Sequence, residues 1–154
     1  MSFVDVKIID NSKEAVDEVE LGLQRALEII GIKMERYASM LCPVGTPEST
    51  GIAGYMGETL RNSISYATSI HDGLTIKVEK GKGDPRAENH GGKKVTASTD
   101  EENTVFVGTN VFYAPYVELG TSKMKPRPFL KPSVENHISE YKNIIQKELK
   151  KVGK

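Results

Sequence analysis

The chain has no tryptophan, a single cysteine, 6% aromatic residues and no net charge. Each shortage excludes something. One cysteine, Cys42, cannot close an internal disulfide, which fits a reducing compartment. Lys plus Arg equals Asp plus Glu at 21 each, so the chain lacks the cation excess that a non-specific nucleic-acid coat needs to displace counterions. No apolar run approaches the ~20 residues that span a membrane. The opening MSFVDVKIID shows no signal-peptide pattern, so no membrane contact is expected. No internal repeat is present, and 154 residues read as one domain, 1–154. A domain of this size buries roughly 68–70% of the surface its unfolded chain exposes, so no disulfide or metal is needed to hold it.

Catalytic patterns are equally scarce. His71, His90 and His137 stand far apart in different contexts. Asp84, Glu88 and His90 form the one local donor cluster, in a glycine-rich polar stretch with nothing to fix a metal geometry, so a solvated loop is the favoured reading. The glycines near Lys82 and Lys93 lack the Gly-Lys-Ser/Thr ending of a phosphate loop, because Lys93, Lys94 and Val95 follow Gly92. Cys42 sits at a helix end, where the dipole raises a thiol pKa, and reads as a buried structural residue. No nucleophile elbow and no acid–base pair stands out. The expectation is a protein that is not an enzyme, with no catalytic residue, no cofactor and no metal.

What is present is periodicity. Val16, Val19, Leu23, Ala26, Leu27, Ile30, Met34, Tyr37, Ala38 and Leu41 recur at steps of three and four, predicting a helix from Ser12 to Leu41 that Pro43 ends. Asn11 and Glu14 resemble a capping box, and Gly22 and Gly31 are candidate bends. The stretch 43–57 is a loop rich in glycine and proline. Ile64, Tyr66, Thr68 and Ile70 alternate, as do Leu74, Ile76 and Val78, with Asp72-Gly73 as a hairpin signal between them. The polar segment 81–100 reads as a mobile arm or long loop. A third strand is expected at Thr104 to Gly108, and a fourth from Val111 is an option. Pro115 and Gly120 instead favour one helical turn between them. Val134, Ile138, Tyr141, Ile145, Leu149 and Val152 predict a last helix from Leu130 into the lysine-rich end. The fold class is therefore α+β: an antiparallel sheet of about four strands packed against a long N-terminal helix and a C-terminal helix.

The charges are balanced in number but not in place. Asp10 to Glu20 holds five acids against Lys13; Ser122 to Pro132 holds Lys123, Lys125, Arg127 and Lys131 with no acid; Lys147 to Lys154 holds four lysines against Glu148. Opposed patches on a neutral molecule suit binding to copies of itself or to a charged partner. The basic strap carries Pro126, Pro128 and Pro132, with Met124, Phe129 and Leu130 as apolar anchors among the cations. It either docks into a neighbour's groove with little ordering entropy to lose or only stiffens a turn ahead of the last helix. Tyr113 and Tyr116 beside the cations could stack on bases, although half-buried tyrosines beside the sheet are favoured.

The residues YAPYVELGTSKM from Tyr113 to Met124, followed by RPFLKP from Arg127 to Pro132, resemble a signature of the head–tail joining family of long-tailed double-stranded DNA phages, also called neck or tail-completion proteins. Tyr113, Tyr116, Glu118, Gly120, Thr121, Pro128 and Leu130 carry that match. A second stretch of the family, Cys/Ala-Pro-x-x-Thr-Gly-x-Leu-Arg-x-Ser-Ile, is similar to Cys42-Pro43, Thr50-Gly51 and Leu60-Arg61-Asn62-Ser63-Ile64, with its middle lengthened here. The resemblance implies a structural virion protein at the head–tail junction, present in the host cytoplasm during assembly. It implies a homo-oligomeric ring whose partners are its own copies, the neighbouring connector and tail proteins, and the duplex DNA that passes through its channel without sequence recognition. Lys123, Lys125 and Arg127, with Phe129 as anchor, are then expected to dock near Asp17, Glu18 or Glu20 of an adjacent subunit. The alternative is a nucleic-acid-binding module that uses the strap and the lysine-rich tail.

Overall fold

The computed structural model describes residues 11–50, 58–71 and 102–152. Helix α1 runs uninterrupted from Ser12 to Leu41, a rod of about 45 Å at ~1.5 Å per residue. Two short helices follow, α2 at Pro47–Thr50 and α3 at Thr59–Asn62. Strand β1, Ser65–Ala67, pairs antiparallel with β2, Phe106–Gly108, with Tyr66 opposite Val107. Helix α4, Ala114–Leu119, leads through the strap to α5, Leu130–Glu135, and α6, Ile138–Leu149. No described helix is long and apolar enough to cross a membrane.

The chain is thus mixed α and β, built on helices with a small antiparallel sheet. Among the described residues the sheet has two strands, not about four. Val111 opens no strand; its carbonyl accepts the Ala114 N–H and starts α4. The pattern of Leu74, Ile76 and Val78 and the segment 81–100 lie outside the described residues. Alternation in β1 is also lost: Ile64 through Thr68 are all buried, with Tyr66 and Thr68 held against Glu28 of α1.

The stripe of α1 buries Ala26, Leu27, Ile30, Met34 and Ala38. Asn11 makes no side-chain cap; its carbonyl accepts the Ala15 N–H. The glycines do not interrupt the helix; they let neighbours approach. A Cβ on Gly31 would stand 2.2 Å from Tyr66 Cδ2 and 2.7 Å from its Cγ. Tyr66 has little room to yield, since its hydroxyl donates to Glu28 at 3.0 Å and its ring stacks on His71 at 4.4 Å. Gly31→Ala should therefore lower stability by up to about 2 kcal/mol. Overpacking of ~1–3 kcal/mol outweighs the ~1 kcal/mol that alanine gains in helix propensity. Urea titration checks this, and a more stable variant would show that the ring moves freely.

Helix α6 lies antiparallel along α1. Gly22 meets Val152 and Leu149 at one end, while Lys33 pairs with Glu140 at 2.6 Å further along. Tyr37 donates to the same carboxylate at 2.8 Å. Residues 12–21 of α1 are exposed, so its first ten residues, ~15 Å of rod, carry on past the end of the helix that covers it.

The single helix expected from Leu130 into the lysine-rich end is two helices. The break falls at Asn136 and His137, where the His137 N–H turns back to Val134 O in a tighter bond. That leaves the Ser133 carbonyl for the Tyr141 hydroxyl, which donates to it at 2.6 Å. The His137 ring stacks on Tyr37 at 3.6 Å. Tertiary contacts thus replace the helical bonds that the break removes.

Candidate functional site

The strap is the region in which sequence pattern and structure differ most. It is not an extended arm. Thr121 and Met124 close a tight turn through paired backbone bonds, Thr121 N–H to Met124 O at 2.8 Å and Met124 N–H to Thr121 O at 3.3 Å. The Thr121 hydroxyl accepts the N–H groups of Lys123 and Met124 inside that turn. Gly120 has φ +75°, and a Cβ there would meet Pro126 N at 2.7 Å and Met124 O at 2.8 Å; only glycine fits both the angle and the space. The Arg127 N–H returns to Val117 O at 2.8 Å, so the strap is sewn back onto α4.

Glu118 completes the arrangement. Its carboxylate accepts the backbone N–H groups of Phe129 at 2.7 Å, Leu130 at 3.0 Å and Lys131 at 2.8 Å. These are unsatisfied donors at the start of α5, and a carboxylate at a helix N-terminus is favoured by the dipole as well. In the sequence, Glu118 stands out only within the stretch that carries the resemblance. An acid followed by Gly and then, about ten residues on, by a proline-led helix start is the available signal for this long-range cap.

Phe129 corrects the docking expectation. It is 0% exposed and belongs to its own chain's core, with Ala38, Cys42, Leu60, Ile64, Val111 and Ala114; Tyr113, Val117 and Leu130 pack at the edge of that cluster. Glu118 pulls the Phe129 backbone in, and the ring follows. It is not available to a neighbouring subunit. The two stretches on which the resemblance rests meet here: Cys42, Leu60 and Ile64 from one, Ala114 and Phe129 from the other. Burial pushes the Cys42 thiol up to about 11, in the direction expected from the helix end but with desolvation as the main cause. Arg61 leaves the cluster and pairs with Glu58 at 2.7 Å.

The charged candidates remain outward. Lys123, Lys125, Arg127 and Pro128 are exposed, as are Asp17, Glu18 and Glu20 on α1. None of these six ionic groups makes an ion pair among the described residues. Tyr116 is exposed rather than half-buried, while Tyr113 is half-buried. The structure does not bring strap and acids together. The strap packs near Ala38 and Cys42 at one end of α1, and the acids sit near the other end, about 30 Å away along the helix. The lysine-rich end of α6 meets α1 at Gly22, so strap and tail do not form one basic face. Among the described residues no group of three or more His, Cys, Asp or Glu side chains could hold a metal ion. Asp84, Glu88 and His90 lie outside them. Compared with protein families, curated proteins and solved structures, the chain matches none of them.

Proposed function

We propose that the chain is a structural subunit of the head–tail junction of a long-tailed DNA phage, a neck or tail-completion protein that assembles as a homo-oligomeric ring around the DNA channel in the virion. One observation carries the self-assembly part. A rigid 30-residue helix holds an acidic end and, about 30 Å away, a basic strap fixed in place by Glu118, Gly120 and Thr121. Neither patch can reach the other in one molecule. Each can reach its counterpart in the next copy, which is a head-to-tail, heterologous contact of the kind that closes rings. The phage context rests on the resemblance of the Tyr113–Pro132 and Cys42–Ile64 stretches, whose apolar residues supply one core.

Mass measurement by light scattering over a concentration series, with electron microscopy of the purified chain, tests this. The expected result is a closed annulus with a central hole. A chain that stays monomeric at every concentration would refute the assembly reading. Filter binding to duplex DNA should show weak retention. Useful affinity with a steep salt slope would instead support the nucleic-acid module.

A further inference from the structure

The helix that leads into the strap carries a surface that charge alone does not reveal. In α4, Pro115, Tyr116 and Leu119 recur at the spacing of one helical face, and Phe112 stands one turn earlier. Leu119 is 76% exposed, Phe112 58% and Tyr116 54%; Pro115 is exposed too. The opposite face, with Ala114 and Val117, packs into the core. A short helix that is apolar on its outer side as well as its inner one presents a contiguous patch of the kind that marks an interaction site. At the far end of the molecule the stripe of α1 continues past its own cover: Val16 is 62% exposed and Val19 48%. Acids are interleaved with that stripe in the sequence, and the strap that follows α4 carries exposed cations and is bonded back to it by the Arg127 N–H on Val117 O.

We propose that the outer face of α4 seats the Val16–Val19 stripe of a second copy of this chain, with Lys123, Lys125 and Arg127 set against Asp17, Glu18 and Glu20. This rests on the self-assembly reading and supplies what that reading lost when Phe129 proved to be buried: an apolar anchor. The occupant is another copy because the stripe of the same chain is out of reach by about 30 Å. Two α4 faces meeting symmetrically would bring two basic straps together, which opposes that arrangement. The charges set partner and approach, while the apolar seat resists screening by salt. A pair so joined keeps one open seat on one copy and one free stripe on the other, so growth continues until a ring closes.

Two full-length variants, Leu119→Cys and Val19→Cys, test the contact. Native Cys42 stays in place; it is buried, with its thiol pushed up to about 11, and reacts slowly. Under mild oxidation the equimolar mixture should give several-fold more covalent dimer than either variant alone. Peptide mapping should find the two introduced thiols joined to each other, the one from Val19→Cys to the one from Leu119→Cys. Equal dimer from Leu119→Cys alone would mean that α4 faces meet each other, and the proposal falls. A second measurement uses Tyr116→Ser with Leu119→Ser, both exposed. The concentration for half-assembly should rise tenfold or more while Tm stays within about 2 °C, the shift of a surface change well under 1 kcal/mol. If wild type assembles and this double variant assembles equally well, the seat is wrong and the self-assembly reading stands. If wild type never assembles, both fail.

Discussion

Glu118→Ala should unfasten the strap and cost about 3 kcal/mol of stability. Three backbone donors at the head of α5 lose their acceptor at once. A hydrogen bond to a charged group contributes ~1.5–3 kcal/mol, and loss of a helix cap costs ~0.5–2 kcal/mol. The three bonds share one carboxylate and do not add, and Lys131 is exposed, so its N–H can turn to water. The Phe129 N–H is less able to do so, because its own residue is buried completely. At ~2–4 °C per kcal/mol for a chain of this size, Tm should fall by about 6–12 °C. Glu118→Gln keeps one acceptor oxygen but turns an amide donor toward N–H groups, so it should recover less than half of the loss. Amide exchange at Phe129, Leu130 and Lys131 should accelerate in the alanine variant ahead of exchange in the α1–α6 contact. A Tm indistinguishable from wild type would mean that water or another group caps α5, and the strap's rigidity would need a different source.

How far the sequence discloses this chain depends on whether local chemistry or distant contact decides each element. Helix α1 is legible because thirty residues of step-three and step-four spacing admit no other period, and α4 because Pro115 and Gly120 bracket it. The stripe of α1 nevertheless gives no hint that Val16 and Val19 are left exposed, with no cover among the described residues. Periodicity reports which face is apolar, not which molecule buries it. The break between α5 and α6 is invisible for the complementary reason. Val134, Ile138 and Tyr141 keep helical spacing straight through it. What makes the break tolerable is the Tyr141 hydroxyl on Ser133 O and the His137 ring on Tyr37, a residue far off in the chain. Phe129 reads as surface because its neighbours are cations and prolines. A single acid eleven residues earlier reverses that reading. The charged candidates are legible as patches, but their separation along α1, on which the proposed head-to-tail contact depends, comes only from the fold.

That separation makes charge exchange the sharpest test of the assembly. Lys123→Glu, Lys125→Glu and Arg127→Glu together should hold the chain monomeric, at concentrations where wild type assembles, by placing three anions opposite Asp17, Glu18 and Glu20. The fold should survive, because all three side chains are exposed and make no ion pair among the described residues. Asp17→Lys, Glu18→Lys and Glu20→Lys should do the same from the other side. The chain carrying all six changes is the decisive one. Complementarity returns with its sign inverted, so assembly should recover at least tenfold over either triple variant. Mixing the two triple variants should also restore assembly, with the two kinds of copy alternating. In that mixture the wild-type strap of one variant meets the wild-type helix end of the other, and the inverted strap meets the inverted helix end, while contacts between like copies stay repulsive. Raising salt should weaken wild type and the six-fold variant to a similar degree, since exposed charges are screened with a Debye length of ~8–10 Å near physiological ionic strength. Recovery of assembly in the six-fold variant excludes loss of folding as the cause of failure in the triples. Failure of the six-fold variant, with a normal melting curve, would show that strap and helix end do not face one another, and the head-to-tail arrangement would have to be abandoned.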